Sequence, residues 1–185
     1  MPYYKRRLPH WDPEDAALFI TWRLHGSYPA PSPEWERLPP GQRFAAEDTE
    51  LAHLATGPHY LRDPRVAQTV ADTLKYGANH LHLYDLRAWV IMSNHVHILI
   101  DPHAELTSIT SRIKSFSARE ANRILNRTGQ PFWALESYDH WVRSTRESDH
   151  IVRYIEFNPL KAGIVEKPED YRWSSASAGR EARVT

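Results

Sequence analysis

Trp89-Val90-Ile91-Met92-Ser93-Asn94-His95-Val96-His97-Ile98-Leu99-Ile100 reads as two apolar strands joined through the dipeptide Ser93-Asn94. So short a connection between strand-like runs predicts an antiparallel hairpin, with strands over 82–92 and 94–100. Side chains alternate faces along a strand, so Val96, Ile98 and Ile100 point to one side and His95, His97 and Leu99 to the other. The first set is a core face. The second places two imidazoles two residues apart on a rigid support, which is half of a site for a divalent ion. Two protein nitrogens leave coordination positions open for a third ligand, water and substrate oxygens.

Spacing alone does not single this pair out. With 11 histidines in 185 residues, a His-x-His triplet arises about once by chance. A second one, His80-Leu81-His82, follows Gly77-Ala78-Asn79 at the start of a strand, where exposed histidines are ordinary.

Working outward from the hairpin, the chain alternates strand and helix patterns. Residues 17–24 are strand-like. Residues 63–78 form a helix with Asp63 as N-cap, Pro64 as its first residue and Val66, Val70 and Leu74 on one stripe. Residues 106–125 form another, with Ile109, Ile113, Phe116 and Ile124 facing the core and Gly129-Gln130-Pro131 stopping it. A short strand covers 139–143. The last helix, 147–157, starts in a capping box with Ser144 as N-cap and Glu147 reaching back, and Pro159 ends it. This is the split βαββαβ order of an α+β, ferredoxin-like antiparallel sheet. Both main helices share one face. The other face is expected to be free for substrate, with His95 and His97 standing on it and the last helix crossing it.

One compact domain over 1–185 accommodates this pattern, since 41% apolar residues suffice for a proper core. A Pro-rich insertion at about 26–64, carrying Pro29, Pro31, Pro33, Pro39, Pro40 and Pro58, interrupts it. Within it, Glu47-Asp48-Thr49-Glu50-Leu51-Ala52-His53-Leu54 suggests a short helix. A surface insertion is the favoured reading over a lid. The chain has no cysteine, which excludes disulfides and thiolate metal sites and suits a cytosolic protein. No apolar run approaches the roughly 20 residues that span a bilayer, and no signal-peptide core follows the N-terminus, so a soluble intracellular protein is expected.

Net charge is zero at pH 7, with 23 basic and 23 acidic residues, whereas duplex-DNA binders usually carry a basic excess. The local distribution differs. Lys5-Arg6-Arg7 is a basic start, and Arg112, Lys114, Arg119, Arg123 and Arg127 stand against one acid, Glu120. Alone, such a run is a solvated helix face; beside a phosphoryl-transfer site, phosphate contact is the better reading. Trp22, Trp133, Tyr138 and Trp141 are candidate stacking platforms for bases, although most aromatics here, Trp89 among them, belong to the core pattern.

Far downstream lies Tyr154-Ile155-Glu156-Phe157-Asn158-Pro159-Leu160-Lys161-Ala162-Gly163-Ile164-Val165. Tyr154 and Asn158 are one helical turn apart and project from one face. Brought to a two-histidine strand, they would add an oxygen ligand and a nucleophile.

Four blocks, Trp89 to Leu99, Phe132-Trp133, Tyr154 to Val165, and Pro168-Glu169-Asp170-Tyr171-Arg172-Trp173-Ser174-Ser175, resemble in order and spacing the REP-associated tyrosine transposases, relatives of the single-tyrosine HUH transposases. The N-terminal Tyr4 to Trp11 and Phe19 to Leu24 join the match, which omits roughly 27–62. Ser93 departs from the proline usual in the family but removes no ligand. The resemblance implies Mg²⁺ or Mn²⁺ on His95 and His97, Asn158 as third ligand and Tyr154 as nucleophile. It further implies a single-stranded DNA substrate at repeat hairpins, a 5′-phosphotyrosine intermediate, and action as monomer or homodimer in the bacterial cytoplasm at the nucleoid. DNA contacts are expected from Lys5, Arg6, Arg7, Arg112, Lys114, Arg119 and Arg123. Two other classes keep part of the pattern. A non-catalytic nucleic-acid-binding module would not need the four site residues, and a metal-dependent hydrolase would activate water in place of the phenol.

Overall fold

Leu18–Arg23 (β1) is the strand around which everything else is arranged. It pairs antiparallel with His95–Pro102 (β3) on one side, Thr21 opposite His97, and with Tyr138–Trp141 (β4) on the other. Tyr84–Ile91 (β2) joins the far side of β3 through the tight turn at 93–94, so the sheet order is β2-β3-β1-β4 and every pairing is antiparallel. The structure, a computed structural model, describes residues 16–27 and 34–177. Among these, no helix is long and apolar enough to cross a membrane.

Pro64–Asn79 (α2) and Leu106–Ile124 (α3) pack on one face of the sheet. Their Val66, Val70, Leu74, Ile109 and Ile113 form a core with Val96, Ile98, Ile100, Ile20 and Trp22. Asp63 caps α2 by accepting from Arg65 N–H at 2.9 Å. The α+β, split βαββαβ architecture read from the strand and helix pattern is the observed one.

The opposite face is not free. Phe19, Ala88, Val90, Leu99 and Met92 on it are buried beneath Thr145–Lys161 (α4), with Ile155 fully enclosed, and beneath Phe44 of Pro40–His53 (α1). Strands apolar on both sides need cover on both sides, and the 26–64 segment supplies part of it. Trp22 and Trp133, candidate base platforms by composition, are core residues 2% and 7% exposed and packed edge to face.

One further detail differs from the sequence reading. Pro159 does not end α4, which runs to Lys161; a proline so near the C-terminus removes only one intrahelical hydrogen bond. The stop is Gly163 at φ +70°, with Ile164 N–H bonded to Pro159 O and Gly163 N–H to Leu160 O, a Schellman ending. The block after α4 closes the exposed edge of β2: Ile91 N–H bonds Trp173 O, Val90 bridges to Ser174, and Trp89 N–H bonds Ser175 Oγ. Ser175 Oγ also donates to Glu156 on α4 at 3.0 Å, tying the tyrosine helix to the sheet edge. Lys5, Arg6, Arg7 and the Tyr4 to Trp11 block lie outside the described residues.

Candidate metal and nucleophile site

His95 and His97 project from β3 beneath α4 and α1, and both are fully buried. Their ring orientations are set by the nitrogen facing away from the site. Asn94 donates its amide nitrogen to Leu51 O at 2.8 Å, so its Oδ1 accepts from His95 Nδ1 at 2.7 Å. That leaves His95 Nε2 with a lone pair aimed inward. His97 Nδ1 pairs with Thr21 Oγ1 at 2.7 Å, directing its Nε2 to the same point.

At that point stands a residue the sequence pattern did not single out. Asp48 of α1, 4% exposed, places Oδ1 3.5 Å from His95 Nε2 and 3.1 Å from His97 Nε2. The three ligand atoms lie within 4.8 Å of one another. Its Oδ2 accepts a short hydrogen bond from the Tyr154 hydroxyl and one from Asn158 Nδ2 at 3.1 Å. Asn158, expected to face the site with an oxygen, turns its amide nitrogen toward Asp48 and, at 3.3 Å, His97 Nε2. The Tyr154 ring lies 5.7 Å from the His97 ring, and Lys161 Nζ sits 4.9 Å over it. Phe44, stacked on Tyr138 at 4.2 Å and edge-on to Phe19, seals the flank.

The electrostatics suit a cation. Burial raises the Asp48 pKa, but His97, His95 and the Tyr154 hydroxyl outweigh that and hold it well below the usual carboxylate range. Burial pushes His95 down to about 3, with His97 adding to the shift and Asp48 opposing it. A charged carboxylate therefore faces an unprotonated imidazole. Asp48 Oδ1 and His95 Nε2 are both buried without a hydrogen-bond partner, which is costly unless something binds them. A divalent ion fits this two-nitrogen, one-oxygen set. Burial, followed by the Asp48 charge and hydrogen bond, raises the Tyr154 phenol above its ordinary value.

The remaining candidates lie elsewhere. His80 and His82 are exposed, and His80 stacks on Tyr76. Arg112, Lys114, Arg119 and Arg123 belong to α3, on the face of the sheet away from the histidines. Lys114 Nζ donates to Ala134 O, Leu135 O and Ser137 Oγ, and Arg119 and Arg123 both pair with Glu120. Asp48 had one signal: it is an acid on the stripe Phe44, Asp48, Leu51, where a surface helix puts apolar residues.

Residues 58–158 match a family model described as "Transposase IS200 like". Over 94 residues the chain is 28% identical to the REP-associated tyrosine transposase of Escherichia coli (strain K12), an alignment covering 50% of this chain and 54% of that protein. The chain thus spans about half the length of this curated relative. Among solved structures it is similar to a REP-associated tyrosine transposase bound to a REP hairpin, at a TM-score of 0.57 and 18% identity over 95% of this chain and 82% of the other. That likeness is one of fold. A putative transposase from Deinococcus radiodurans R1 aligns at a TM-score of 0.45 and 17% identity, covering 85% and 98% of the two chains. The family match includes His95, His97, Tyr154 and Asn158 and begins after Asp48.

Proposed function

The chain belongs to the IS200-like transposase family, and from that premise we propose that it cuts and rejoins single-stranded DNA with Tyr154 as nucleophile beside a divalent cation. The observation carrying this reading is the convergence of Tyr154, through Asp48, on the paired imidazoles of His95 and His97. A module that only binds DNA has no use for a buried phenol against a ligand cluster.

His95, His97 and Asp48 would hold the ion, Mg²⁺ or Mn²⁺, with the two nitrogens favouring Mn²⁺; Asn158 reaches the same place if its amide oxygen turns inward. When bound, the cation supplies Lewis-acid polarisation of the scissile phosphate and stabilises its developing charge. The protein's own residues do the rest. Asn94 and Thr21 hold the imidazoles in register, and α4 brings the phenol to them within one chain. The Tyr154 oxygen forms a bond to phosphorus as the P–O3′ bond breaks, the phenol loses its proton, and the departing 3′ oxygen gains one. The 5′-phosphotyrosine conserves the bond energy, so a 3′-hydroxyl attacking it in reverse rejoins DNA without a nucleotide cofactor. The substrate we propose is hairpin DNA flanked by a single-stranded cleavage site, in line with the hairpin bound by the structural relative.

The test is incubation with labelled single-stranded hairpin DNA, made from repeats flanking the coding region, and Mn²⁺ or Mg²⁺, resolved on a denaturing gel. A covalent protein–DNA adduct that disappears in Tyr154→Phe is expected. Cleavage persisting in that variant would instead show a metal-activated water at work.

A further inference from the structure

We propose that Asp48 is a positioning residue for Tyr154 and that α1, which carries it, is a wall of the nicking site. The proposal deepens the reading of Tyr154 as nucleophile and rests on it. Three residues of α1, Asp48, Leu51 and Phe44, make contacts into the site. Asp48 Oδ2 accepts from the Tyr154 hydroxyl and from Asn158 Nδ2, so one carboxylate oxygen grips two residues a turn apart on α4. Leu51 O holds Asn94, which holds His95. Phe44 packs near His97, Tyr138 and Tyr154 at ring distances of 6.3, 4.2 and 6.2 Å.

The two oxygens of Asp48 face different ways. Oδ1 looks at the imidazoles and lacks a hydrogen-bond partner, while Oδ2 is committed to the phenol. A hydroxyl donating to a fixed acceptor has its rotation set and its lone pairs turned toward the remaining open direction. The same side chain thereby sets the phenol oxygen relative to the ligand atoms, and misplacing a reacting group by about 1 Å can cost on the order of 100-fold in rate. A loosely attached surface segment would make none of these contacts.

Two substitutions in the full-length protein separate the roles. Asp48→Asn keeps an oxygen that can accept from Tyr154 but removes the charge; Asp48→Ala removes both. Calorimetric titration with Mn²⁺ alone, without DNA, is expected to show affinity weakened about tenfold or more in each. Single-turnover adduct formation at saturating Mn²⁺ is then expected to stay within about tenfold of wild type for Asp48→Asn and to fall about 100-fold for Asp48→Ala. Should the alanine variant not fold, Asp48→Ser, too short to reach the phenol, takes its place with the same expectation. Equal rates for the Asn and Ala variants at saturating metal overturn the positioning role. A faster reaction on removing Asp48 also overturns it and makes α1 a plug. Absence of any adduct in wild type, or an adduct surviving Tyr154→Phe, removes the nucleophile reading itself and this proposal with it.

Discussion

His95 directs a bare lone pair at Asp48 because its other nitrogen is already engaged by Asn94. Its depressed pKa makes stability depend on pH in a known direction. The unfolded imidazole, titrating near 6.5, binds a proton more readily than the buried one at about 3, so metal-free protein loses stability as pH falls below about 6.5. Between pH 7 and pH 5 the loss attributable to His95 is about 2 kcal/mol. Urea unfolding in a chelator at the two pH values measures it, and His95→Gln is expected to shrink the difference. Asp48 acts in the same direction, but only below about pH 4. Spacing on a strand or a helix fixed the face shared by His95 and His97 and that shared by Tyr154 and Asn158, but it fits His80 and His82 equally well, and the family resemblance singled the four residues out. Asp48 was not legible, because which carboxylate of Glu47, Asp48 and Glu50 turns inward depends on where α1 lands.

At the scale of elements, local chemistry marks starts better than stops. Ser144 caps α4 through Glu147 N–H at 3.2 Å, while the Glu147 carboxylate reaches back to Arg143 N–H and His140, one residue beyond the expected box. The stop depended on Gly163 and not on Pro159, since a positive φ ends a helix where a late proline need not. The docking of α2 on β2 is equally specific. Tyr84, fully buried, donates to Leu74 O at 2.8 Å, and a Cβ at Gly77 would lie 2.5 Å from its hydroxyl oxygen and 3.0 Å from its Cζ. Gly77→Ala is therefore expected to destabilise the protein by about 1–3 kcal/mol, read as a lower urea midpoint with an unchanged slope. Ala is otherwise the better helix former, so a gain in stability would show that Tyr84 can move aside.

At the scale of the molecule, the sheet divides the charges from the chemistry. The α3 arginines and the histidine pair lie on opposite faces, and Lys114 is held by three oxygens of the 134–137 segment. If hairpin DNA wraps the sheet edge to reach both faces, the double variant Arg119→Ala/Arg123→Ala is expected to reduce the slope of log affinity against log salt by about 2. An unchanged slope, measured by fluorescence anisotropy across a salt series, would confine the DNA to the α4 side. The sequence by itself determined the βαββαβ order, the hairpin, the face shared by the two histidines and the tyrosine helix, because period, caps and short turns are local properties of the chain. Only the tertiary structure decided that the histidine face is roofed, that the Pro-rich segment helps to roof it, and that Asp48 joins the imidazoles to the phenol. Such contacts connect residues about 50 and 100 positions apart, and no local pattern encodes which distant surfaces close over a buried charge.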